Sequence, residues 1–253
     1  MICKTIYKIL FLQLQNSSTF FKAYLKNSLT FLQLLVMTKN FPKLHTPFVR
    51  EMINNRYIVT PRIDPEYAWV FNDAGVQAVD KIDGTNICLR IQNKKIIRIF
   101  NRTNEKFIFP PGIEQTRWDG ALMEGIAKAI QKEWLKGWAD GDYYGELVGE
   151  TLNGNPHKLQ GHLFAPFAYL KSKCHWRSWI KNQYPKDFQS ISEWFKDLPS
   201  LFNQKLKLPE VKAEGLVFYH PDGRMAKLRR DMFPWHKGRG HKNTKTLSFA
   251  SEH

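Results

Sequence analysis

What the sequence has little of excludes several classes of protein. Its three cysteines, Cys3, Cys88 and Cys174, are odd in number and far apart, so they predict neither a disulfide framework nor a paired zinc site. Its apolar runs, such as Phe31-Leu32-Gln33-Leu34-Leu35-Val36, fall far short of the ~20 apolar residues that a membrane-spanning helix needs. We therefore expect a cytoplasmic protein of a reducing compartment with no membrane segment.

Acidic residues are missing from the start of the chain, where none occurs before Glu51. Residues 1–36 are dominated by Leu, Phe, Ile, Asn and Lys, and they allow three interpretations. They are a dispensable extension, with Met37 beginning the domain; an amphipathic helix packed on the core; or an organellar transit peptide, for which the lack of acid fits and the scarcity of Arg does not. The predicted organisation is an extension over 1–36, a catalytic domain over 37–233 and a basic tail over 234–253.

Positive charge is in large excess. The formal net charge is +15 and the sequence pI is near 9.7, which favours an anionic partner, above all nucleic acid. The alternative is a generally basic protein with no such partner. The tail carries Lys237, Arg239, Lys242 and Lys245, which either form a solvated end or contact phosphates.

From Phe41 onward, Pro, Gly and alternating apolar residues predict a mixed α and β domain. A helix is expected over Gly120–Trp138, because Leu122, Ile126, Ile130 and Trp134 recur at spacings of four. A second helical region, broken at Pro199, is expected over Ser190–Phe202. The predicted strands are Val76–Lys81, Ile87–Ile91, Lys95–Asn101, Tyr143–Val148, Leu163–Leu170, Gly215–His220 and Arg224–Leu228. Asn93-Lys94 and Pro221-Asp222-Gly223 are expected to be hairpin turns.

The most informative segment is Lys81-Ile82-Asp83-Gly84-Thr85-Asn86, in which a lysine ends a strand and a Gly-containing turn follows. This arrangement can present an amine to a phosphate. A lysine with the free pKa of ~10.4 is a poor nucleophile, so the role requires desolvation or nearby cations. Taken alone, the segment fits an ordinary hairpin turn equally well.

Further segments supply groups that phosphoryl transfer from a nucleotide needs. Arg102 follows a strand and offers a guanidinium for ribose or phosphate. Glu146 lies near a strand and suits a ribose hydroxyl or hydrated Mg²⁺, and Glu214 precedes another strand. Lys227 and Arg229 are two positions apart on a strand and therefore share one face, where two cations can bind a triphosphate.

In this order and spacing, the segments resemble the covalent nucleotidyltransferase superfamily of DNA ligases, RNA ligases and mRNA capping enzymes, over roughly Phe71 to Phe233. Gly84-Thr85-Asn86 is similar to the Gly-Thr-Asn of phage-type RNA ligases that seal nicks in duplex RNA, whereas DNA ligases usually carry Arg where Asn86 stands. The resemblance implies an α+β fold, an ATP-grasp-like nucleotidyltransferase (adenylylation) domain with antiparallel sheets flanked by helices.

The resemblance also implies the chemistry. The expected enzyme is an ATP-dependent RNA ligase that uses ATP and Mg²⁺ or Mn²⁺ and joins 5′-phosphate and 3′-hydroxyl ends through a lysyl-AMP intermediate. Lys81 is then the nucleophile, with Lys227 and Arg229 as catalytic cations and Glu146 and Glu214 as metal ligands. The nucleotide is expected to contact Lys81, Asn86, Arg102, Glu146, Phe167, Glu214, Lys227 and Arg229, with Phe167 preferred over Phe164 as the aromatic that stacks on the base.

Two departures from the family pattern stand out. Arg229 occupies a position where Lys is common, which keeps the charge and changes the hydrogen-bond geometry. The chain also leaves no room for the C-terminal domain of many relatives, so an accessory protein or domain is a possible partner of an otherwise monomeric enzyme. Three other functions stay open: a GTP-dependent guanylyltransferase of the capping type, a minimal DNA ligase, and a non-catalytic nucleic-acid-binding module.

Overall fold

The computed structural model describes residues 41–101, 105–106, 117–176 and 184–237. The predicted extension over 1–36, Arg102 and the tail residues after Lys237 lie outside this range. The chain divides into two compact units, each described by itself below. Unit 1 comprises Met1–Lys43, Ile82–His175 and Leu201–Val211, and unit 2 comprises Leu44–Lys81, Trp176–Ser200 and Lys212–His253.

The structure is α+β with antiparallel sheets, as the sequence predicts. The strands are β1 (Phe48–Ile53), β2 (Arg56–Ile63), β3 (Gln77–Lys81), β4 (Thr85–Gln92), β5 (Lys95–Asn101), β6 (Glu105–Lys106), β7 (Gly141–Gly149), β8 (His162–Pro166), β9 (His175–Trp176), β10 (Gly215–Tyr219) and β11 (Met225–Arg229). The helices are α1 (Trp69–Asn72), α2 (Arg117–Gln131), α3 (Phe167–Lys173), α4 (Phe188–Asp197) and α5 (Leu201–Leu206), with 3-10 turns at Pro65–Tyr67 and Arg230–Met232.

The strands of the described residues form three sheets. β1 and β2 form a two-stranded sheet, a four-stranded sheet has the order β11-β10-β3-β9, and a five-stranded sheet has the order β6-β5-β4-β7-β8. The pairs β1–β2, β10–β11, β3–β10, β4–β5, β4–β7, β5–β6 and β7–β8 are all antiparallel.

Both predicted hairpin turns are confirmed. At the β4–β5 connection Asn93 and Lys94 have φ of 51° and 60°, as a type I′ turn requires at both central residues. At the β10–β11 connection the amide of Gly223 donates to the carbonyl oxygen of His220 at 3.0 Å, and Gly223 has a φ of 95° that glycine tolerates without strain. These turns fix the register of the strands that they join.

In unit 1, helix α2 packs on the five-stranded sheet over an apolar core. The cluster contains Ile87, Leu89, Ile99, Leu122, Ile126, Leu147 and Phe164, all nearly inaccessible to solvent. Gly125 allows this packing, because a Cβ there would collide with the side chain of Leu147 and approach the main-chain nitrogen of Phe164 to 3.1 Å. The missing side chain at Gly125 therefore lets α2 lie close to the sheet.

The predicted helix over Gly120–Trp138 is wrong at its end, since α2 stops at Gln131. Glu133 takes a left-handed φ of 56°, and the amide of Trp134 donates to the carbonyl oxygen of Ala129 at 3.0 Å, which closes the helix with a Schellman motif. Ile130 is 48% exposed, although Leu122 and Ile126 are buried. A spacing of four residues drifts about 40° per step around a helix of 3.6 residues per turn, so the third member has left the core face.

The predicted strand over Leu163–Leu170 is wrong in its second half. The strand β8 ends at Pro166, and α3 begins at Phe167. The apolar run continues through the transition because Leu170 is buried on the helix as Leu163 is on the strand. The predicted break at Pro199 is confirmed, since α4 ends at Asp197 and α5 starts at Leu201.

Candidate functional site

Lys81 is the last residue of β3, and the segment that follows it is not a hairpin. β3 pairs with β10 in the four-stranded sheet, whereas β4, which begins at Thr85, pairs with β5 and β7 in the five-stranded sheet. The simple hairpin interpretation of Lys81–Asn86 is therefore wrong. The chain instead passes from unit 2 to unit 1 between Lys81 and Ile82.

The register of the four-stranded sheet sets Lys81 and Arg229 on one face. Gly215 on β10 lies opposite Lys81 on one side and Arg229 on the other, and opposed residues in antiparallel strands point to the same face. Gly215 leaves the space between them clear of a side chain. A Cβ at Gly215 would also overlap the main chain of Leu228 and Arg229. Glycine is thus required where the two cationic residues flank the central strand.

Glu214, the residue before β10, pairs with both cations. The Nζ of Lys81 donates to Oε2 of Glu214 at 2.6 Å, and Nη1 of Arg229 lies 3.8 Å from Oε1 of the same carboxylate. The side chains of Lys81 and Glu214 are 21% and 19% exposed, so the pair is largely shielded from water without being sealed. Arg229 also lies with its Nε 3.0 Å from Oδ1 of Asp231. An amine, a carboxylate and a guanidinium are therefore gathered within unit 2.

Lys227 lies on the same strand face as Arg229, as the two-residue spacing predicts. Ala226 and Leu228 of β11 are fully buried, while Lys227 and Arg229 are half-buried. The main-chain amide of Lys227 donates to the carbonyl oxygen of His45 at 2.8 Å, which fixes the backbone on the side of β11 away from β10. Lys81, Lys227 and Arg229 thus share one face of this sheet.

In unit 1, Asn86 and Glu146 lie opposite each other on β4 and β7. Opposed side chains of an antiparallel pair are neighbours, and both residues are half-buried. The Nδ2 of Asn86 points to the carbonyl oxygen of Gly145 at 3.5 Å. Two of the predicted nucleotide-binding residues are therefore adjacent on one sheet face.

Of the two candidate aromatics, Phe164 is part of the unit 1 core and fully buried, so it has no face left for a base. Phe167 begins α3 and is half-buried, with its ring centroid 4.9 Å from that of Phe41. Phe41 also lies 5.4 Å from Tyr144. Burial, aided by the nearby Cys88 and Asp142, raises the pKa of Tyr144 to about 12, so this aromatic group is uncharged at neutral pH. Phe167 fits the predicted stacking role better than Phe164.

A protein cage for a metal ion is not found in the described residues. Over these ranges no group of three His, Cys, Asp or Glu side chains is arranged to hold an ion. Mg²⁺ in nucleotide sites is usually held by one or two carboxylates together with phosphate oxygens and water. Single carboxylates such as Glu146 and Glu214 fit that kind of site.

The turn after Lys81 is held by residues that no sequence pattern assigned to the nucleotide site. The amide of Asp83 donates to Nε2 of His157 at 3.1 Å, and Nδ2 of Asn153 donates to Oδ1 of Asp83 at 2.8 Å and to the carbonyl oxygen of Gly84 at 3.2 Å. The second ring nitrogen of His157 bonds Oδ1 of Asn203 at 2.8 Å. All these residues belong to unit 1. They are distant in sequence, so no local spacing reveals them.

In the part of the chain that the structure describes, each helix is too short or too polar to cross a membrane. No protein-family model matches the chain, and no curated protein matches it either.

The chain is similar in structure to RNA ligase from Naegleria gruberi. A variant with ATP and Mn is 20% identical, with 78% of this chain and 64% of that chain covered and a TM-score of 0.37. The form with PPi is 21% identical at a TM-score of 0.37, and a variant with AMP and Mn is 19% identical at 0.38, with the same coverage. This chain thus spans less than two thirds of those chains.

Proposed function

We propose that this protein is an ATP-dependent RNA ligase of the covalent nucleotidyltransferase superfamily, in which Lys81 becomes attached to AMP. The observation that carries the proposal is the arrangement at the end of β3. There a shielded lysine amine lies 2.6 Å from the Glu214 carboxylate, and Arg229 reaches the same carboxylate from the far side of Gly215.

This arrangement suits nucleophilic attack on a phosphate. The Lys81 nitrogen would form a bond to the α-phosphorus of ATP, the bond from that phosphorus to the bridging oxygen would break, and pyrophosphate would leave. The amine must lose a proton in this step, and the Glu214 carboxylate is within hydrogen-bond distance to receive it. Lys227 and Arg229, on the same sheet face as Lys81, supply positive charge for the phosphates.

Mg²⁺ or Mn²⁺, when bound, would neutralise part of the triphosphate charge, and Glu146 and Glu214 are the carboxylates that would hold it. Asn86 and Glu146, adjacent on the unit 1 sheet, are proposed to bind the nucleotide, with Phe167 beside the base. Arg102 is proposed to contribute a further guanidinium.

The later steps concern the nucleic acid. AMP would pass from Lys81 to a 5′-phosphate end, and a 3′-hydroxyl would then attack that end, release AMP and seal the strand. The net charge of +15 supports a nucleic-acid substrate, and Asn86 after Gly84-Thr85 supports RNA over DNA. We propose that the enzyme acts as a monomer.

The test is to incubate the full chain separately with α-labelled ATP and α-labelled GTP in the presence of Mg²⁺ or Mn²⁺, and to resolve it under denaturing conditions. The expected result is a covalent label from ATP. A label from GTP alone would replace the proposal with a guanylyltransferase. Nucleic-acid binding with no label from either nucleotide would support a non-catalytic binding module.

Two variants locate the label. Lys81→Arg should give no label, because a guanidinium stays protonated at any useful pH and cannot attack. Lys212, an exposed lysine of the same unit paired with Asp197 at 2.8 Å, is the matched control, and Lys212→Arg should label normally. A labelled Lys81→Arg protein would place the nucleophile elsewhere.

Substrate preference is tested with nicked duplexes. A nick whose 3′-hydroxyl strand is RNA should be joined better than the same nick made wholly of DNA. Equal or better joining of the DNA nick would favour the minimal DNA ligase.

A further inference from the structure

The segment that follows Lys81 is restrained by a hydrogen-bond network that includes two buried side chains, His157 and Asn203, and the exposed Asn153. Asn153, His157 and Asn203, here called the clamp residues, lie far from Lys81 in sequence and act on Asp83 and Gly84. None of the three is a nucleotide-binding candidate.

The hydrogen-bond directions in the network are mutually consistent. Nδ2 of Asn203 donates to the carbonyl oxygens of His157 at 3.0 Å and Pro209 at 2.8 Å, which leaves Oδ1 as the acceptor. The Nδ1 of His157, 2.8 Å from that oxygen, therefore carries the ring proton, and Nε2 accepts from the amide of Asp83. Each ring nitrogen of His157 therefore has a single role: Nδ1 donates and Nε2 accepts.

The loop that carries two clamp residues is itself rigidly built. Asn153, Asn155 and Lys158 have φ of 50°, 52° and 52°, the left-handed region that Asn tolerates best among non-glycine residues. Asn155 also exchanges two hydrogen bonds with Leu159, at 2.9 Å and 3.0 Å. The left-handed residues and the Asn155–Leu159 bonds together hold this loop in one backbone conformation.

We infer that Asn153, His157 and Asn203 are positioning residues that fix the Asp83–Gly84 turn and thereby restrain the backbone through which Lys81 is joined to β4. The inference rests on the proposed function for its effect on activity. Lys81 is fixed at one end by β3 and β10, and the clamp fixes the other end of the short link at Asp83. Attack on phosphorus requires the amine within a narrow range of positions, so a loosened link lowers the rate of AMP attachment.

Two variants of the clamp residues test the positioning role. One is at a buried residue and the other at an exposed one, so the test does not depend on a single variant that could unfold. His157→Ala removes the acceptor for the Asp83 amide from a buried position. Asn153→Asp changes an exposed side chain to one of equal size that still tolerates the left-handed φ, but it sets a carboxylate against Oδ1 of Asp83 and the carbonyl oxygen of Gly84. Each should lower the rate of lysyl-AMP formation at saturating ATP by about tenfold, with a smaller change in the KM for ATP.

Two further variants separate positioning from general stability. His157→Gln, whose side-chain oxygen can accept from the Asp83 amide, should recover most of the rate lost in His157→Ala. His162 is the matched control, because it is a buried histidine of the same unit whose ring nitrogens bond Glu124 and Thr151 and not Asp83 or Gly84. His162→Ala should lower the thermal midpoint by a similar amount and leave the labelling rate nearly unchanged.

The outcomes distinguish this inference from the proposed function. If the wild-type chain is labelled and both clamp variants label at its rate, or if His162→Ala loses as much rate as they do, positioning is overturned and the ligase proposal stands. If the wild-type chain takes no label, the ligase proposal fails. Hydrogen exchange at the Asp83 amide then tests whether the clamp residues restrain this segment. Faster exchange in His157→Ala than in His162→Ala supports the clamp, and equal exchange overturns it.

Discussion

The charged face of the unit 2 sheet and the apolar core of unit 1 are built in opposite ways. Lys81, Glu214 and Arg229 are largely shielded from water and held by ion pairs, and the cost of desolvating such charges leaves the pairs little net contribution to stability. The core beneath α2 is closely packed around Gly125 and contains no such pair in its cluster. Substitutions on the first surface should therefore change chemistry with little effect on folding, and substitutions in the second should do the reverse.

The largest effect is expected at Glu214. Glu214→Ala should reduce AMP labelling by about 10²-fold or more, because it removes the group that holds the Lys81 amine and contacts Arg229. The thermal midpoint should change little. Glu210→Ala, at an exposed carboxylate four residues earlier, is the control and should label normally. If Glu214→Ala unfolds the protein, the pair is structural and the contrast between the two regions is lost.

Gly125 offers the opposite test. Gly125→Ala should destabilise the fold by about 2 kcal/mol, because the new methyl group would collide with Leu147 and press on the main chain of Phe164. Gly120, on the same helix, has open space around its Cα, so Gly120→Ala should instead stabilise the fold by up to about 1 kcal/mol. Chemical denaturation of both variants measures the two signs. Equal effects would show that α2 is not closely packed at Gly125.

Arg229→Lys tests the position on the charged face where this chain has arginine and the resembled family commonly has lysine. A lysine keeps the charge but cannot contact Glu214 and Asp231 at once, as the guanidinium does. We expect labelling to fall by about tenfold with no loss of stability, and Arg229→Ala to lose more. The control is Arg224→Lys, at an exposed turn residue paired with Asp73 and Asp222, which should label normally. An unchanged rate in Arg229→Lys would mean that charge alone matters at this position.

The elements that the sequence predicts correctly have local signals. The type I′ turn at Asn93-Lys94, the Gly223 hairpin and the strand that ends at Lys81 all follow from short-range backbone preferences. The shared face of Lys227 and Arg229 follows from strand geometry alone.

The wrong or missed predictions concern features set by tertiary contacts or by unusual backbone conformations. Glu133 closes α2 in a left-handed conformation that glycine usually adopts, so no glycine marks the end of the helix in the sequence. The sequence pattern does not show where β8 ends and α3 begins at Phe167, because the strand and the helix both bury apolar residues. His157 reaches Asp83 across 74 positions, and only the folded chain brings them together.

The smallest effect is expected at the edge of the apolar core, where Glu124 of α2 bonds Lys128 and His162, each at 2.7 Å. Burial raises the pKa of Glu124, but the hydrogen bonds from Lys128 and His162 outweigh it, so the pKa lies below its usual range. A depressed carboxyl pKa gives stability that is present above the unfolded value of ~4.3 and lost as the pH falls.

Glu124→Gln should therefore destabilise the fold at neutral pH by less than about 1 kcal/mol, since the carboxylate is partly exposed and water screens the pair. The difference from wild type, measured by chemical denaturation, should shrink as the pH is lowered through about 4. Glu133→Gln, at the exposed pair with Lys136, should show no difference at either pH. If the Glu124→Gln deficit persists in acid, the contribution of Glu124 comes from packing and not from charge, and the edge of the core behaves like its centre.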